Sequence, residues 1–343
     1  MRQKTKIFTF FVALAVMSFP APAGSLKKTD ANVEISAGSS APALWTNPGN
    51  IAARDLFYGA GGKARQPRGN FTFVEEDLDG SQPKFVVRDQ KGAKWKVKLG
   101  PEARAETAAT RFVWAVGYFT DEDYLVPRLR VANMPRLRRG QRHVAPDGFI
   151  HNARFERYSG DAKKIDHWKW RRHPLADTRE LNGLRVMMAL LNNWDLKDNN
   201  TAVYAMKDRA GRIHAVSDLG ATFGPSRFTF PRRKAHLETY IGSKFITKVT
   251  PEYIDFSTPG RPALITIFNV PLFVDHIRMR SIGRYIPRQD ARWISQLLAR
   301  LSHQQIRSAF QAAGYSPAEV AGFTAVIETR IEELRTATAR PTT

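Results

Sequence analysis

The sequence has no cysteine among its 343 residues. Disulfides are therefore excluded, and so is a lipid-modified N-terminal cysteine. Beyond residue 24 no apolar run is long enough to span a membrane, and no stop-transfer pattern occurs. No internal repeat is visible, and no nucleic-acid motif is present. No serine lies in a nucleophile-elbow pattern, so a hydrolase has no support. The 8 histidines are scattered without metal-ligand spacing, which predicts surface positions for His167 and His173. Apolar content of 43% and aromatic content of 11% still suffice for a real core rather than a disordered chain.

What is present starts with a leader. Arg2, Lys4 and Lys6 precede the apolar run "IFTFFVALAVMSF" (residues 7–19), and "APA" (21–23) supplies small residues for cleavage. This reads as a signal peptide over 1–23, with an uncleaved anchor as the alternative. The chain is therefore expected to be exported, periplasmic or secreted, with no transmembrane segment in its mature form. Residues 24–54 are rich in small and turn residues and read as a flexible N-terminal tether.

Net charge is +21, and removing the three basic leader residues leaves 50 Lys+Arg against 32 Asp+Glu. The basic residues gather in "RLRRGQRH" (136–143), "HWKWRRH" (167–173) and "PRRK" (231–234). Nucleic acid, anionic envelope lipid or glycan, and a phosphorylated small molecule compete as partners. Trp168 and Trp170 between cations would suit stacking on bases or sugars. The alternative is an ordinary solvated basic face.

From Phe71 the apolar period becomes two. "FTFVEED" (71–77), "PKFVVRDQ" (83–90) and "KWKVKLG" (94–100), separated by Gly-containing turns, predict a three-stranded antiparallel meander. In the third strand Lys94, Lys96 and Lys98 share one face, opposite Trp95, Val97 and Leu99. Three lysines on a face suit an anion, or else a solvated edge. Pro101 opens a helix whose inward stripe carries Glu106, a carboxylate that wants a partner such as Lys98 or Arg111. "DTRELNGLRVMMALLNN" (177–193) predicts a second amphipathic helix, with Leu181, Leu184, Met188 and Leu191 inward. A polar loop, a strand "TAVYAM", a turn and a strand "IHAVS" follow, and the last third reads as helical.

The chemistry concentrates in "WDLKDNN" and "SDLG". A hairpin between them returns Asp218 beside Asn200, and this pair of hard oxygens suits Mg2+ when phosphates supply other ligands. Asp195 is placed to orient or deprotonate a nucleophile, and Lys197 to neutralise phosphoryl charge. "DLKDNN" matches the protein-kinase catalytic pattern Asp-x-Lys-x-x-Asn, and "SDLG" matches the Asp-Phe-Gly element with Leu219 for Phe. The order of elements agrees as well. The sequence thus resembles the protein-kinase-like superfamily over roughly residues 71–334. Within that superfamily it resembles the atypical branches: the bacterial HipA-type kinases, the phosphoinositide-kinase-like enzymes and the secretory-pathway Golgi casein kinases.

That resemblance implies an α+β, two-lobed fold, with a small antiparallel-sheet N-lobe carrying one helix over 55–131. It implies a larger, mainly helical C-lobe over 132–336, leaving 337–343 as a disordered tail. It implies Asp195 as catalytic base assisted by Lys197, and Asn200 and Asp218 as ligands of Mg2+ or Mn2+. Lys98, paired with Glu106, would hold the phosphates of ATP, with Lys96 as the rival lysine and Gly80 and Ser81 in the covering loop. The departures are Asn193-Trp194 in place of His-Arg and the lack of an Ala-Pro-Glu element. The first argues against control by phosphate docking on that arginine, and the second against an ordinary peptide platform. "YGAGGK" (58–63) precedes the first strand and is expected to be a turn. The function expected is phosphoryl transfer, or transfer of AMP, to a protein, lipid or glycan acceptor. The alternative is a pseudokinase that binds anionic envelope ligands.

Overall fold

The structure, a computed structural model, describes residues 42–80, 82–158, 162–207, 211–224, 235–259 and 277–339. The leader, most of the tether, Ser81, the basic run 231–234 and the last four residues lie outside them.

The alternating segments form β1 (Phe71–Asp77), β2 (Lys84–Asp89) and β3 (Lys94–Lys98), an antiparallel meander as the pattern predicts. The sheet does not stop at three strands. β4 (Asp123–Leu129), β5 (Val131–Ala132) and β6 (Ile150–Arg157) extend it to six, in the order β4-β6-β3-β2-β1-β5. All neighbours run antiparallel except β1 and β5. Because β6 pairs with β3, the sheet reaches past residue 131, the boundary expected for the N-lobe.

Side chains alternate between the sheet's two faces. One face is apolar: Phe71, Phe85, Val87, Trp95, Val97, Tyr124 and Phe155 pack into a core of their own. The other is charged, with Lys98 opposite Lys84 on β2 and Arg154 on β6, and Lys96 opposite Glu156. Helix α1 (Glu102–Ala115) follows β3. Ala105, Ala108, Ala109, Ala115 and Phe112 belong to a second, larger core, while Glu102 and Glu106 are buried toward the charged face.

The larger core is built on α2 (Arg179–Leu190), whose four expected inward residues are buried, each side chain contributing about 1.5–3 kcal/mol. The Thr178 hydroxyl caps it by accepting from the Leu181 amide at 3.3 Å. Beside it lies a second sheet of β7 (Ala162–Asp166), β8 (Thr201–Met206) and β9 (Arg212–Val216). A short helix α3 (Leu237–Ile241) precedes a third sheet of β10 (Ile246–Val249), β11 (Tyr253–Phe256) and β12 (Ile286–Pro287). Helices α4 (Arg288–Leu298), α5 (His303–Ala312) and α6 (Pro317–Ala339) close the chain. A mostly antiparallel sheet with its own apolar core thus adjoins a larger, mainly helical body with a second core, a two-lobed α+β arrangement.

Two termini are more ordered than expected. Residues 42–54 are not free tether: Leu44 and Ile51 are buried, and Trp45 donates its indole N–H to the Val116 carbonyl at 2.7 Å. The expected tail is helical through Ala339, with Ala337 accepting from Arg288 at 2.9 Å. Burial of apolar side chains in both segments outweighs their loop-like composition.

Candidate functional site

β3 and α1 are joined by a tight turn at Gly100 (φ +93) and Pro101, so Lys98 faces the first two turns of the helix. Its ammonium reaches Glu102 at 3.0 Å, Glu106 at 2.9 Å and Asp218 at 2.7 Å. Glu106 also meets Arg154 at 3.1 Å. Lys96, the rival, instead pairs with Glu156 at 3.3 Å, and Arg111 pairs with Asp123 at 2.7 Å. Geometry therefore couples Lys98, not Lys96, to Glu106 and Asp218.

The loop after α2 is held by its own backbone and by the Asp-Leu-Gly segment. Trp194 N–H donates to Ala221 O at 3.1 Å, and Phe223 N–H to Leu191 O at 2.8 Å. Asn193 Oδ1 accepts from the Asp195 amide at 3.0 Å. Asp195 Oδ1 lies 2.7 Å from Lys197 Nζ, and Asn200 Nδ2 donates to the Asp195 carbonyl at 2.6 Å. The β8–β9 hairpin brings Ser217 back, its amide donating to Asn200 O at 3.1 Å. The backbone of Asn200 is thus tied to the residue before Asp218, while its side-chain nitrogen is spent inside the loop. Asp218 adopts the left-handed region (φ 52, ψ 58), which costs a residue with a Cβ about 1–2 kcal/mol. Gly220 is required by packing, since a Cβ there would stand 2.7 Å from Glu102 Cβ.

Burial pushes Glu106 above the usual carboxylate range, against the pull of Arg154 and Lys98. Partial desolvation works in the same sense on Asp218, although its side chain is about half exposed, but the touching Lys98 ammonium outweighs it and holds the group below its ordinary range. Lys98 is desolvated, yet Glu106 and Asp218 raise it above an ordinary lysine. A second, half-buried carboxylate pair lies beside it. Desolvation and Glu156 push Asp121 well above its ordinary range, whereas Arg154 and Lys96 outweigh desolvation and hold Glu156 below its own.

Lys96, Lys98, Glu106, Asp121, Arg154, Glu156 and Asp218 line a cleft of about 220 Å³ that also includes Gly80, Lys84, Tyr204, Lys164 and Asn199, whereas Asp195, Lys197 and Asn200 are not among its lining residues. Gly80 is in the left-handed region (φ +64) with open space around its Cα, while Ser81 lies outside the described residues. Arg139 secures this loop, donating to the carbonyls of Leu78 and Gly80. One cation of the 136–143 run is thereby structural. "YGAGGK" forms two short 3-10 turns, as expected of a turn.

Two sequence expectations are corrected. Trp168 and Trp170 are buried, Trp168 donating to Ala215 O at 2.8 Å, so neither is a stacking platform. His173 is buried too, with Nε2 at 2.7 Å from His214 Nδ1. Glu102 and Arg154 were not among the expected site residues. The spacing of four between Lys98 and Glu102 was a usable signal, whereas Arg154 comes from a strand paired across a long connection.

No protein-family model matches the sequence, and no curated protein matches it. Among solved structures the chain is similar to the proinflammatory kinase CtkA of Helicobacter pylori. Identity is 12% and the TM-score 0.44, over 79% of this chain and 98% of that one. It is also similar to the Golgi casein kinase, at 9% identity and a TM-score of 0.42, over 79% of this chain and 74% of that one. Among the described residues no helix is long and apolar enough to cross a membrane.

Proposed function

We propose that this chain is an exported phosphotransferase of atypical kinase type that uses ATP with Mg2+ or Mn2+. The observation that carries the reading is Lys98, shared at ion-pair distance by Glu106 and Asp218 beside the Asp195–Lys197 loop. A structural role alone needs no such convergence of a helix and the far end of a hairpin on one strand cation.

Among the described residues no group of three or more His, Cys, Asp or Glu side chains is arranged to hold a metal. The donor set instead fits a divalent ion that keeps phosphate ligands, with one carboxylate, Asp218, and one amide oxygen, Asn200. When bound, such an ion neutralises phosphate charge. Lys98 orients the phosphates, and the loop at Gly80 covers them. Asp195 accepts the proton of the acceptor hydroxyl, while Lys197, 2.7 Å from it, offsets charge on the transferred group.

The test is thermal unfolding of the purified mature chain with Mg·ATP. At a hundredfold excess over Kd the native state gains about 2.7 kcal/mol, and Asp218→Ala is expected to abolish the gain. If the wild type shows neither stabilisation nor transfer to water, protein or lipid, the enzymatic reading fails.

One observation favours a second reading, a pseudokinase that binds anionic envelope ligands. The 220 Å³ cleft is smaller than the roughly 300–1,000 Å³ of small-molecule sites, and Lys98 is already matched by carboxylates. Salt-dependent binding of an anionic glycan that survives Asp195→Ala and Asp218→Ala would favour it.

A further inference from the structure

The run "HWKWRRH" divides by side-chain direction. Trp168, Trp170 and His173 are buried, while Lys169, Arg171 and Arg172 are exposed. Among the described residues the side chains of these three cations make no ion pair. The segment is nonetheless fixed to the candidate catalytic loop. His167 Nδ1 lies 2.6 Å from Thr201 O, Thr201 Oγ1 donates to Trp168 O at 2.7 Å, and the Trp170 amide donates to Asp198 Oδ1 at 3.2 Å.

Lys169, Arg171 and Arg172, with Arg278 and Lys197, line a groove of about 740 Å³. Its only acidic lining residue among those described is Asp198, whose carboxylate already accepts from Trp170. Leu196, Met279 and Ile282 add an apolar patch. Asn199 lines both this groove and the Lys98 cleft, so the two cavities meet at the loop that carries Asp195.

We propose that this groove binds the acceptor, and that the acceptor is a small hydroxyl compound already bearing a phosphate. The guanidinium forks of Arg171 and Arg172 match phosphate oxygens, and Lys169 adds a point charge. Leu196, Met279 and Ile282 take the less polar part of the molecule. The volume falls within the roughly 300–1,000 Å³ typical of small-molecule sites, whereas protein recognition spreads over about 800 Å² a side. In the transfer, the acceptor oxygen forms a bond to the γ-phosphorus of a nucleoside triphosphate. The bond from that phosphorus to the bridging oxygen breaks, the nucleoside diphosphate leaves with the electron pair, and the hydroxyl proton passes to Asp195. Transfer rests on the phosphotransferase reading; phosphate capture by the groove does not.

The experiment is calorimetric titration of the mature chain with sn-glycerol 3-phosphate. Parallel arms use phosphatidylcholine vesicles with and without phosphatidic acid, and a poly-glutamate peptide. The double variant Arg171→Ala/Arg172→Ala, changed only at exposed positions, is expected to bind glycerol 3-phosphate about tenfold to a hundredfold more weakly. Asp218→Ala is expected to leave that affinity unchanged. Binding of phosphatidic acid vesicles alone, without glycerol 3-phosphate, assigns the groove to a lipid headgroup and overturns the small-acceptor proposal. No binding of either phosphate probe, equal binding by the double variant, or binding of poly-glutamate only overturns the proposal. Loss of Mg·ATP stabilisation with glycerol 3-phosphate binding intact would sink the phosphotransferase reading and leave the phosphate groove standing.

Discussion

Lys98 answers three carboxylates, Glu102, Glu106 and Asp218, and it is buried with two of them. Removing a cation from such a cluster leaves like charges desolvated and facing one another. Lys98→Met should therefore cost about 3 kcal/mol in urea unfolding at neutral pH, in addition to abolishing nucleotide binding. Glu106→Gln should cost less, because its amide oxygen still accepts from Lys98 while Glu102 and Asp218 remain charged partners. Equal losses for the two would show that the cluster is not organised on the lysine. Strand alternation alone placed Lys96 and Lys98 on one face and had no means of choosing between them. The choice is made by β6, which sets Glu156 against Lys96 and Arg154 beside Glu106. That strand pairs with β3 across more than fifty residues, and no local period announces such a contact.

At the scale of elements, local patterns were read best where they were strict. The β1–β3 meander, α2 and the β8–β9 hairpin follow their periods closely. "HWKWRRH" has no regular period, and its aromatic residues were given to a ligand when they serve the core. Its inward histidine makes a test. The Leu175 amide donates to His173 Nδ1 at 3.0 Å, so the neutral ring carries its proton on Nε2, which faces His214 Nδ1 at 2.7 Å. Burial first, and His214 second, lower His173 from 6.5 to about 4. Between those values the unfolded chain binds more protons than the folded one, so stability falls as pH drops through the window. The loss should approach about 3 kcal/mol by the lower end. His173→Gln should flatten the midpoint of thermal unfolding across the same range. A wild type whose unfolding is insensitive to pH there would show that the pair is not held neutral.

At the scale of the whole molecule, the described residues form two apolar cores, and charge joins them. The apolar face of the six-stranded sheet looks away from α1, whose own apolar side belongs to the helical core. Between them Arg154 meets Glu106 at 3.1 Å, Glu156 at 2.8 Å and Asp123 at 3.6 Å, all largely buried. Arg111 joins the same network through Asp123 at 2.7 Å. The surrounding carboxylates outweigh the desolvation of Arg154 and hold it firmly charged. A seam of this kind adds little net stability while intact, but breaking it by removing one partner costs about 3–5 kcal/mol. Arg154→Met should therefore loosen the sheet against α1 without touching α2, whose side chains pack wholly within the other core. Native-state hydrogen exchange reads the difference directly. Amides of β2, β3 and β6 should exchange at least about a hundredfold faster in Arg154→Met, while those of α2 keep their protection. Uniform acceleration across both sets would mean that the chain opens as one cooperative unit. The charged seam would then be incidental to how the candidate site is held, and Lys98 and Asp218 would owe their meeting to global packing alone.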